Sequence, residues 1–184
     1  MLILASASPR RLALLKQIQI VPDLVIASDI DESPLKNELP RDYVRRVALA
    51  KAQAIYAHYP HETVLAADTI VACGRNILPK AEDEQTARAC LKILSARRHN
   101  VMTSVVLIHP DGTQQQKTLT TLVRFKPLTR ADIDAYIASN EWQGKAGGYG
   151  IQGIAESFIS LMQGSYSNVV GLPLYETAQM LQGK

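Results

Sequence analysis

The chain carries a charged side chain in the middle of an otherwise apolar segment. Residues 63–73 form a run of strand-forming side chains that only Asp68 and Thr69 interrupt, and this pattern predicts a buried β-strand. Burying an unpaired carboxylate is costly. Asp68 therefore either pairs with a buried Lys or Arg or caps a turn for structural reasons, or it serves as a general base or metal ligand at the end of a strand. We favour the second, functional interpretation.

The N-terminal segment predicts an anion site. A strand over residues 2–5 leads through a polar turn into a helix that begins at Pro9, with Ser8 as its cap. The free N–H groups and the positive end of this helix would lie beside Ser8, Arg10 and Arg11. Cations are disfavoured in a first helical turn. Either a bound phosphate offsets that cost, or the two arginines simply lie on an exposed helix face.

The remaining segments alternate between strand and helix patterns. Strands are predicted over residues 24–27, 101–108, 118–125 and 157–162, and helices over residues 41–59, 82–94, 129–139 and 173–181. A Pro-Asp-Gly turn at residues 110–112 predicts a hairpin. The alternation predicts an α/β fold with a mixed sheet and flanking helices. The length suits a single domain over residues 1–184, with one or two lobes, and no linker or repeat is visible.

Composition and charge exclude several classes of protein. No stretch is apolar enough to span a bilayer, and the apolar N-terminus is too short and lacks the basic region of a signal peptide. Cys73 and Cys90 lack disulfide or zinc spacing, which favours a reducing, cytoplasmic location. The net charge of +3 suits a polyanionic small molecule as well as nucleic acid. Unclustered basic residues and 5% aromatic residues argue against nucleic acid as the main partner.

Four further polar residues are candidates for function. Glu32, in an acidic turn, is the kind of residue that is usually solvated, but together with Asp68 it could hold one divalent ion. Lys51 lies at the edge of the apolar stripe of helix 41–59. Its ammonium group either snorkels to solvent or supplies positive charge to a functional site. Lys80 is a second lysine that could supply such charge. Gln152, in the segment GIQG, either caps a bend or reads the edge of a base.

These segments, in this order, resemble the Maf family of nucleotide pyrophosphatases. The match runs nearly end to end and includes LILASASPRR at 2–11, DE at 31–32, ADTIV at 67–71, KAGGYGIQG at 145–153 and GSYSNVVGLPL at 164–174. The resemblance implies a two-lobed α/β fold around a cleft, like that of the inosine triphosphate pyrophosphatases. It also implies metal-dependent hydrolysis of a nucleoside triphosphate to a monophosphate and pyrophosphate, and it points to a homodimer, because dimers are common among relatives.

The resemblance gives roles to the candidate residues. It makes Asp68 the proton acceptor, and it makes Arg10, Thr69 and Gln152 the positions that sort substrates. Arg10 and Thr69 match the branch acting on dTTP and UTP, whereas the branch acting on N7-methyl-GTP differs at both positions. We further expect Ser8, Arg11, Lys51 and Lys80 to hold the phosphates and Glu32 and Asp68 to hold a divalent cation, Mg²⁺ or Mn²⁺.

One segment departs from the family pattern, and two other functions remain open. The residues Pro79-Lys80-Ala81 stand where the family usually has Gly-Lys-Pro. Proline fixes a backbone torsion that glycine leaves free, so the reach of Lys80 to a phosphate is open. The alternatives are a non-enzymatic regulator of septum formation that binds nucleic acid or a division protein, and a purine-directed pyrophosphatase of the inosine triphosphate type.

Overall fold

The computed structural model describes residues 1–183, which form a succession of strands and helices. The strands are β1 (Leu2–Ala5), β2 (Leu24–Ile26), β3 (Thr63–Cys73), β4 (Asn76–Leu78), β5 (Lys80–Ala81), β6 (Arg98–Ile108), β7 (Gln114–Phe125), β8 (Lys145–Ala146) and β9 (Ile159–Gln163). The helices are α1 (Pro9–Gln17), α2 (Pro40–Tyr56), α3 (Glu84–Leu94), α4 (Arg130–Ala138), α5 (Tyr166–Val170) and α6 (Leu174–Leu181), with a 3₁₀ helix over Ile154–Phe158. No helix within residues 1–183 has the length and apolarity that a bilayer crossing requires.

The main sheet mixes parallel and antiparallel strands. Its order is β2-β1-β3-β6-β7-β9, and β4 pairs with β3 beside this path. Strand β1 runs parallel to both β2 and β3, whereas β4 on β3 and β9 on β7 are antiparallel. Strands β5 and β8 form a separate two-stranded ribbon. The predicted α/β fold with a mixed sheet and flanking helices is therefore confirmed.

The chain divides into two compact units. Unit 1 comprises Met1–Thr69, Thr103–Leu119 and the chain from Gly171 onward. Its core is built from β1, β3 and β6 with the buried face of α2. The residues of that face repeat at intervals of three and four, as an amphipathic helix requires, and they include Tyr43, Val44, Val47, Ala48, Lys51, Ala52 and Ile55. The lysine within this apolar stripe requires a partner for its charge, because an unpaired ion is costly to bury.

Unit 2 comprises Ile70–Met102 and Thr120–Val170. The inward face of α3 consists of Ala87, Cys90, Leu91 and Leu94. Helix α4 is fixed at its start by a complete capping box between Thr129 and Asp132. Helix α4 contributes Ile133, Tyr136 and Ile137 to the same core. The core continues into a cluster of edge-on rings formed by His99, Phe125, Tyr136, Tyr149 and Phe158.

The buried histidine of unit 2 makes stability depend on pH. His99 is 2% exposed, its Nε2 lies 2.8 Å from the hydroxyl of Tyr149, and burial lowers its pKa to about 4. The unfolded chain has the ordinary histidine pKa of about 6.5, so below that pH it binds a proton that the native state does not. The free energy of unfolding should therefore fall as pH drops from about 6.5 to about 4, by about 3 kcal/mol in total.

Denaturant unfolding of the wild type and of His99→Gln between pH 7 and 4 would measure this effect. The other three histidines are present in both proteins, so they contribute to both curves. The glutamine variant should lose most of the slope, since its side chain does not titrate. Identical slopes in the two proteins would show that His99 does not cause the acid sensitivity.

Several short elements differ from the predictions. Strand β4, which was not predicted, begins at Asn76 and pairs with β3. The strand predicted over residues 157–162 begins only at Ile159, since the preceding residues form the 3₁₀ helix. The hairpin strands start earlier, at Arg98 and Gln114, because the polar side chains at these strand starts do not show an apolar strand pattern. The helix predicted to run to residue 59 ends at Tyr56.

Candidate active site

The two polar segments of unit 1 meet because β1 and β3 are parallel neighbours of unequal length. The pairing ends at Ala5 opposite Ala66. Strand β1 stops there and turns toward α1, whereas β3 continues through Asp68. The turn after β1 and the carboxylate of Asp68 therefore lie at the same edge of the sheet, just past the carboxyl end of β1. This edge is where α/β proteins commonly bind ligands.

A buried lysine joins the two carboxylates that were predicted to act together. Lys51 Nζ donates to Asp68 Oδ1 over 2.7 Å and lies 2.9 Å from Glu32 Oε1. Lys51 and Asp68 are 7% and 4% exposed, whereas the Glu32 side chain is 31% exposed. The cost of burying Asp68 is thus offset by an ion pair. Lys51 lies on the buried face of α2 rather than at its edge, so the snorkelling alternative is wrong.

Tyr43, a buried residue of α2, fixes the loop that carries Glu32. Its hydroxyl donates to the backbone carbonyl of Glu32 over 2.8 Å, from about two helical turns before Lys51 on α2. Burial, and secondarily the negative charges of Asp68 and Glu32, raise the pKa of Tyr43 to about 12. Tyr43 therefore remains a neutral hydrogen-bond donor throughout the physiological pH range.

Arg11 ties three chain segments together. Its Nε donates to the carbonyl of Gly171 over 2.8 Å, and its two terminal nitrogens donate to Ser6 Oγ and Thr69 Oγ1, each over 3.1 Å. The residue is 9% exposed. Burial lowers the pKa of Arg11, and the negative charge of Asp68 partly offsets this shift. The exposed-helix-face alternative is wrong for Arg11, whose donors are largely engaged by the protein itself.

Two partners of this network were not identified from the sequence. The hydroxyl of Thr69 lies 2.9 Å from that of the fully buried Thr103 on β6. Gly171 has a φ of +132°, which L side chains rarely adopt, and its carbonyl accepts the bond from Arg11. Thr103 sits in a strand with an ordinary strand composition, so only its three-dimensional neighbours reveal it. Gly171 lies within the family motif at residues 164–174, and this motif was the feature of the sequence that could have identified it.

The N-terminus of α1 is arranged differently from the prediction at one point. Ser8 directly precedes the helix, but its side chain makes no capping bond. Instead the Ser8 N–H donates to Ser6 Oγ over 3.1 Å, so the turn is closed by the serine that Arg11 also contacts. Arg10 is partly buried, and burial lowers its pKa. The first turn of α1 thus keeps a serine and an arginine beside its N–H groups, as an anion site requires.

Lys80 and Gln152 belong to unit 2. Lys80 is an exposed residue of β5 and pairs with Ala146 of β8. Pro79 fits this ribbon, because only its carbonyl is needed: it accepts from the Gly147 N–H over 2.9 Å. Gln152 is an exposed residue of the turn between β8 and the 3₁₀ helix. Both side chains are thus held on ordered backbone.

The carboxylate pair of unit 1 fits a divalent cation by its chemistry. Mg²⁺ is typically held by one or two carboxylates together with substrate phosphates rather than by a complete protein cage. Glu32 and Asp68 supply two such carboxylates, both directed at the ammonium group of Lys51, a cation of the protein itself. Within residues 1–183, no set of three or more His, Cys, Asp or Glu side chains is grouped to hold a metal.

Comparisons with known proteins agree over the whole chain. The profile of the family described as Maf-like protein matches residues 1–184. A protein of Paramagnetospirillum magneticum named dTTP/UTP pyrophosphatase is 60% identical over 99% of this chain and 96% of its own. A protein of the same name from Caulobacter vibrioides is 56% identical over 99% and 94%. A HAM1 protein from Coxiella burnetii has a similar fold, with a TM-score of 0.55 at 15% identity over 100% of this chain and 98% of its own. The resemblance seen in the sequence is confirmed, and the chain belongs to the Maf-like protein family.

Proposed function

We propose that this protein hydrolyses nucleoside triphosphates between the α- and β-phosphates and releases a nucleoside monophosphate and pyrophosphate. The observation that carries the proposal is the buried Asp68 carboxylate, 2.7 Å from Lys51 at the edge of the sheet and beside a second carboxylate. The relatives named dTTP/UTP pyrophosphatase support it, since they match nearly the whole chain at 56–60% identity. From their names we further propose dTTP and UTP as the preferred substrates.

Asp68 is proposed as the general base. The reaction requires water to attack a phosphorus atom that is surrounded by negative oxygens, so the water must be oriented and deprotonated. The Asp68 carboxylate would accept that proton, while Lys51 holds it in place through Oδ1. General-base assistance of this kind typically contributes about 10²–10⁴-fold.

Glu32 and Asp68 are proposed to hold Mg²⁺ or Mn²⁺. A divalent cation there would neutralise charge on the phosphate oxygens. The hydrogen bond from Tyr43 fixes the backbone at Glu32 and so limits where its carboxylate can reach. Lys51, already between the two carboxylates, would be available to pair with a phosphate oxygen once a metal took over part of its role.

The phosphates are proposed to meet the first turn of α1. Ser8 and Arg10 lie there beside N–H groups that suit an anion. Arg11 holds the preceding turn in place through its hydrogen bond to Ser6 Oγ. The Thr69 hydroxyl accepts a hydrogen bond from Arg11, and we propose that Thr69 contributes to substrate choice. Lys80 is proposed to contribute a further charge to the phosphates.

Gln152 is proposed to read the base. Uracil and thymine present an N3–H donor between two carbonyl acceptors, and a glutamine amide offers both a donor and an acceptor. Cytosine reverses the pattern at N3 and at its exocyclic group, so it would leave polar groups unpaired at a cost of about 1–3 kcal/mol. A purine is also larger than a pocket shaped for a single ring. We therefore expect dTTP and UTP to be preferred over CTP and GTP.

A nucleotide panel with product analysis tests the proposal. The protein is incubated with Mg²⁺ and each of dTTP, UTP, CTP, GTP and N7-methyl-GTP, and pyrophosphate, orthophosphate and nucleotide products are quantified. The expected result is equal amounts of monophosphate and pyrophosphate, with the highest kcat/KM for dTTP and UTP. Release of orthophosphate and a diphosphate would refute the bond assignment. A preference for GTP or N7-methyl-GTP would refute the roles given to Arg10, Thr69 and Gln152 without refuting hydrolysis.

A further inference from the structure

The turn that carries Gln152 is held at both ends by side chains that are distant from it in sequence. The turn spans residues 150–153 and is closed by a bond from the Gly153 N–H to the Gly150 carbonyl, 3.4 Å long. Ile151 is 4% exposed and packs inward, whereas Gln152 is exposed. The backbone thus buries one side chain and presents the next one outward.

Tyr136 anchors the start of the turn. Its hydroxyl accepts a hydrogen bond from the Gly150 N–H over 3.1 Å. The Tyr136 side chain is fully buried in the core of unit 2, where its ring meets Phe158 edge-on. Tyr136 belongs to α4, whose first turn is fixed by the capping box. This hydrogen bond therefore fixes the backbone of Gly150 relative to helix α4.

Glu141 anchors the end of the turn. Its Oε2 accepts a hydrogen bond from the Ile154 N–H over 2.8 Å. The segment that carries Glu141 is itself held, because Trp142 Nε1 donates to the carbonyl of Ile137 over 3.0 Å. The Glu141 carboxylate lies so close to Gly153 that a Cβ on residue 153 would collide with it.

Lys145 closes the remaining side. A Cβ on Gly150 would lie 3.1 Å from Lys145 Cε, so the aliphatic part of Lys145 packs directly over the backbone of Gly150. The two glycines of the turn are thus both covered closely by side chains of unit 2. A turn held by two hydrogen bonds and two close contacts has little freedom to move the residue that it presents.

We propose that Tyr136 and Glu141 are positioning residues for base selection, which hold residues 150–153 so that the Gln152 amide meets the substrate base in one orientation. The inference rests on the proposed role of Gln152 as the base-reading residue. Neither side chain needs to touch the substrate. Their effect should therefore appear in the discrimination between bases more than in turnover at saturating substrate.

The test compares selectivity in variants of the two anchors. The ratio of kcat/KM for UTP to that for CTP is measured in the wild type, Tyr136→Phe, Glu141→Ala and Gln152→Ala. Each anchor variant removes one hydrogen bond to the turn, so we expect the ratio to fall by about three- to tenfold, mainly through a higher KM for UTP. The kcat for UTP should stay within about threefold of wild type, since the Asp68 cluster of unit 1 is untouched.

Three further variants separate positioning from a general loss of structure. Glu141→Gln retains an oxygen that can accept from Ile154, so it should restore most of the selectivity lost in Glu141→Ala. Gly153→Ala should lower selectivity by displacing the Glu141 carboxylate, but it should have little additional effect in a Glu141→Ala background. Gln143→Ala removes a neighbouring exposed side chain whose amide donates to Asn140 Oδ1, and it should behave as wild type. Amide hydrogen exchange at Gly150 and Ile154 should become faster in Tyr136→Phe and Glu141→Ala, respectively.

The outcomes distinguish this inference from the proposed function. If Gln152→Ala lowers selectivity while Tyr136→Phe and Glu141→Ala keep the wild-type ratio, the inference is wrong and the base-reading role stands. Failure of Glu141→Gln to recover selectivity would also overturn it for Glu141. If Gln152→Ala itself leaves the ratio unchanged, the base-reading role is wrong and the positioning role is overturned with it. A wild type that releases no pyrophosphate would refute the proposed function itself.

Discussion

Replacing Asp68 with Asn should lower turnover of dTTP and UTP by about 100-fold or more while leaving the protein folded. Asparagine has nearly the same shape but cannot accept a proton from water, and it is a poor ligand for a divalent cation. Lys51 keeps a charged partner in Glu32, 2.9 Å away, so the substitution does not leave an unpaired ammonium group. The measurement is kcat from pyrophosphate release, together with denaturant unfolding of both proteins.

Asp31→Asn is the matched control for this experiment. Asp31 is an exposed carboxylate next to Glu32, and its Oδ1 accepts from the Ser33 N–H over 2.8 Å, a bond that an asparagine can keep. This variant should retain wild-type turnover. Near-normal kcat in Asp68→Asn would remove Asp68 from the mechanism, and an equal loss in Asp31→Asn would attribute the effect to general changes of charge.

Replacing Lys51 with Met should destabilise the fold by about 3–5 kcal/mol. Methionine fills a similar volume on the buried face of α2, so little is lost in packing. The loss comes from Asp68, which is 4% exposed and would remain as a buried carboxylate without its cation. The free energy of unfolding at pH 7, from denaturant titration, measures the effect.

The double variant Lys51→Met/Asp68→Asn separates the cost of the unpaired Asp68 charge from any loss of packing at residue 51. It removes the ammonium group and the buried carboxylate together, so it should recover a large part of the stability that Lys51→Met loses. Unfolding free energies that simply add would mean that the two side chains do not interact energetically. A Lys51→Met protein as stable as the wild type would contradict the prediction. It would mean that groups other than Lys51 stabilise the buried carboxylate of Asp68.

The elements with strong local patterns were predictable, whereas the short ones were not. Strands Leu2–Ala5 and Thr63–Cys73 have their predicted bounds, because each is a long or sharply delimited apolar run. Strands β5 and β8 have two residues each, too few to show an alternation. They form strands because Lys80 and Ala81 pair in antiparallel register with residues 145–146. Such pairing is decided by the tertiary structure, which no local pattern reports.

The candidate site followed the same division. Asp68 was conspicuous because a carboxylate in an apolar strand contradicts its surroundings, and its pairing with Lys51 brings together two of the predicted residues. Tyr43 and Thr103 were missed, since each looks like an ordinary helix or strand residue. Their roles come from hydrogen bonds to residues far along the chain. The contacts of Arg11 likewise could not be predicted. Two adjacent arginines in a helix sequence do not show which of them faces solvent and which is buried.

The bond from Arg11 to the carbonyl of Gly171 spans 160 residues of sequence, and this has a consequence for biosynthesis. At translation rates of about 5–20 residues per second, Arg11 is added to the chain about 8–32 seconds before Gly171. During that interval its guanidinium lacks one acceptor, and the turn that it organises after β1 is incompletely fixed. The N-terminal strand and helix can form early, but the turn after β1 reaches its final geometry only once Gly171 is in place to accept the hydrogen bond from Arg11. Newly made chains should therefore gain nucleotide affinity late, as one of the closing events of folding.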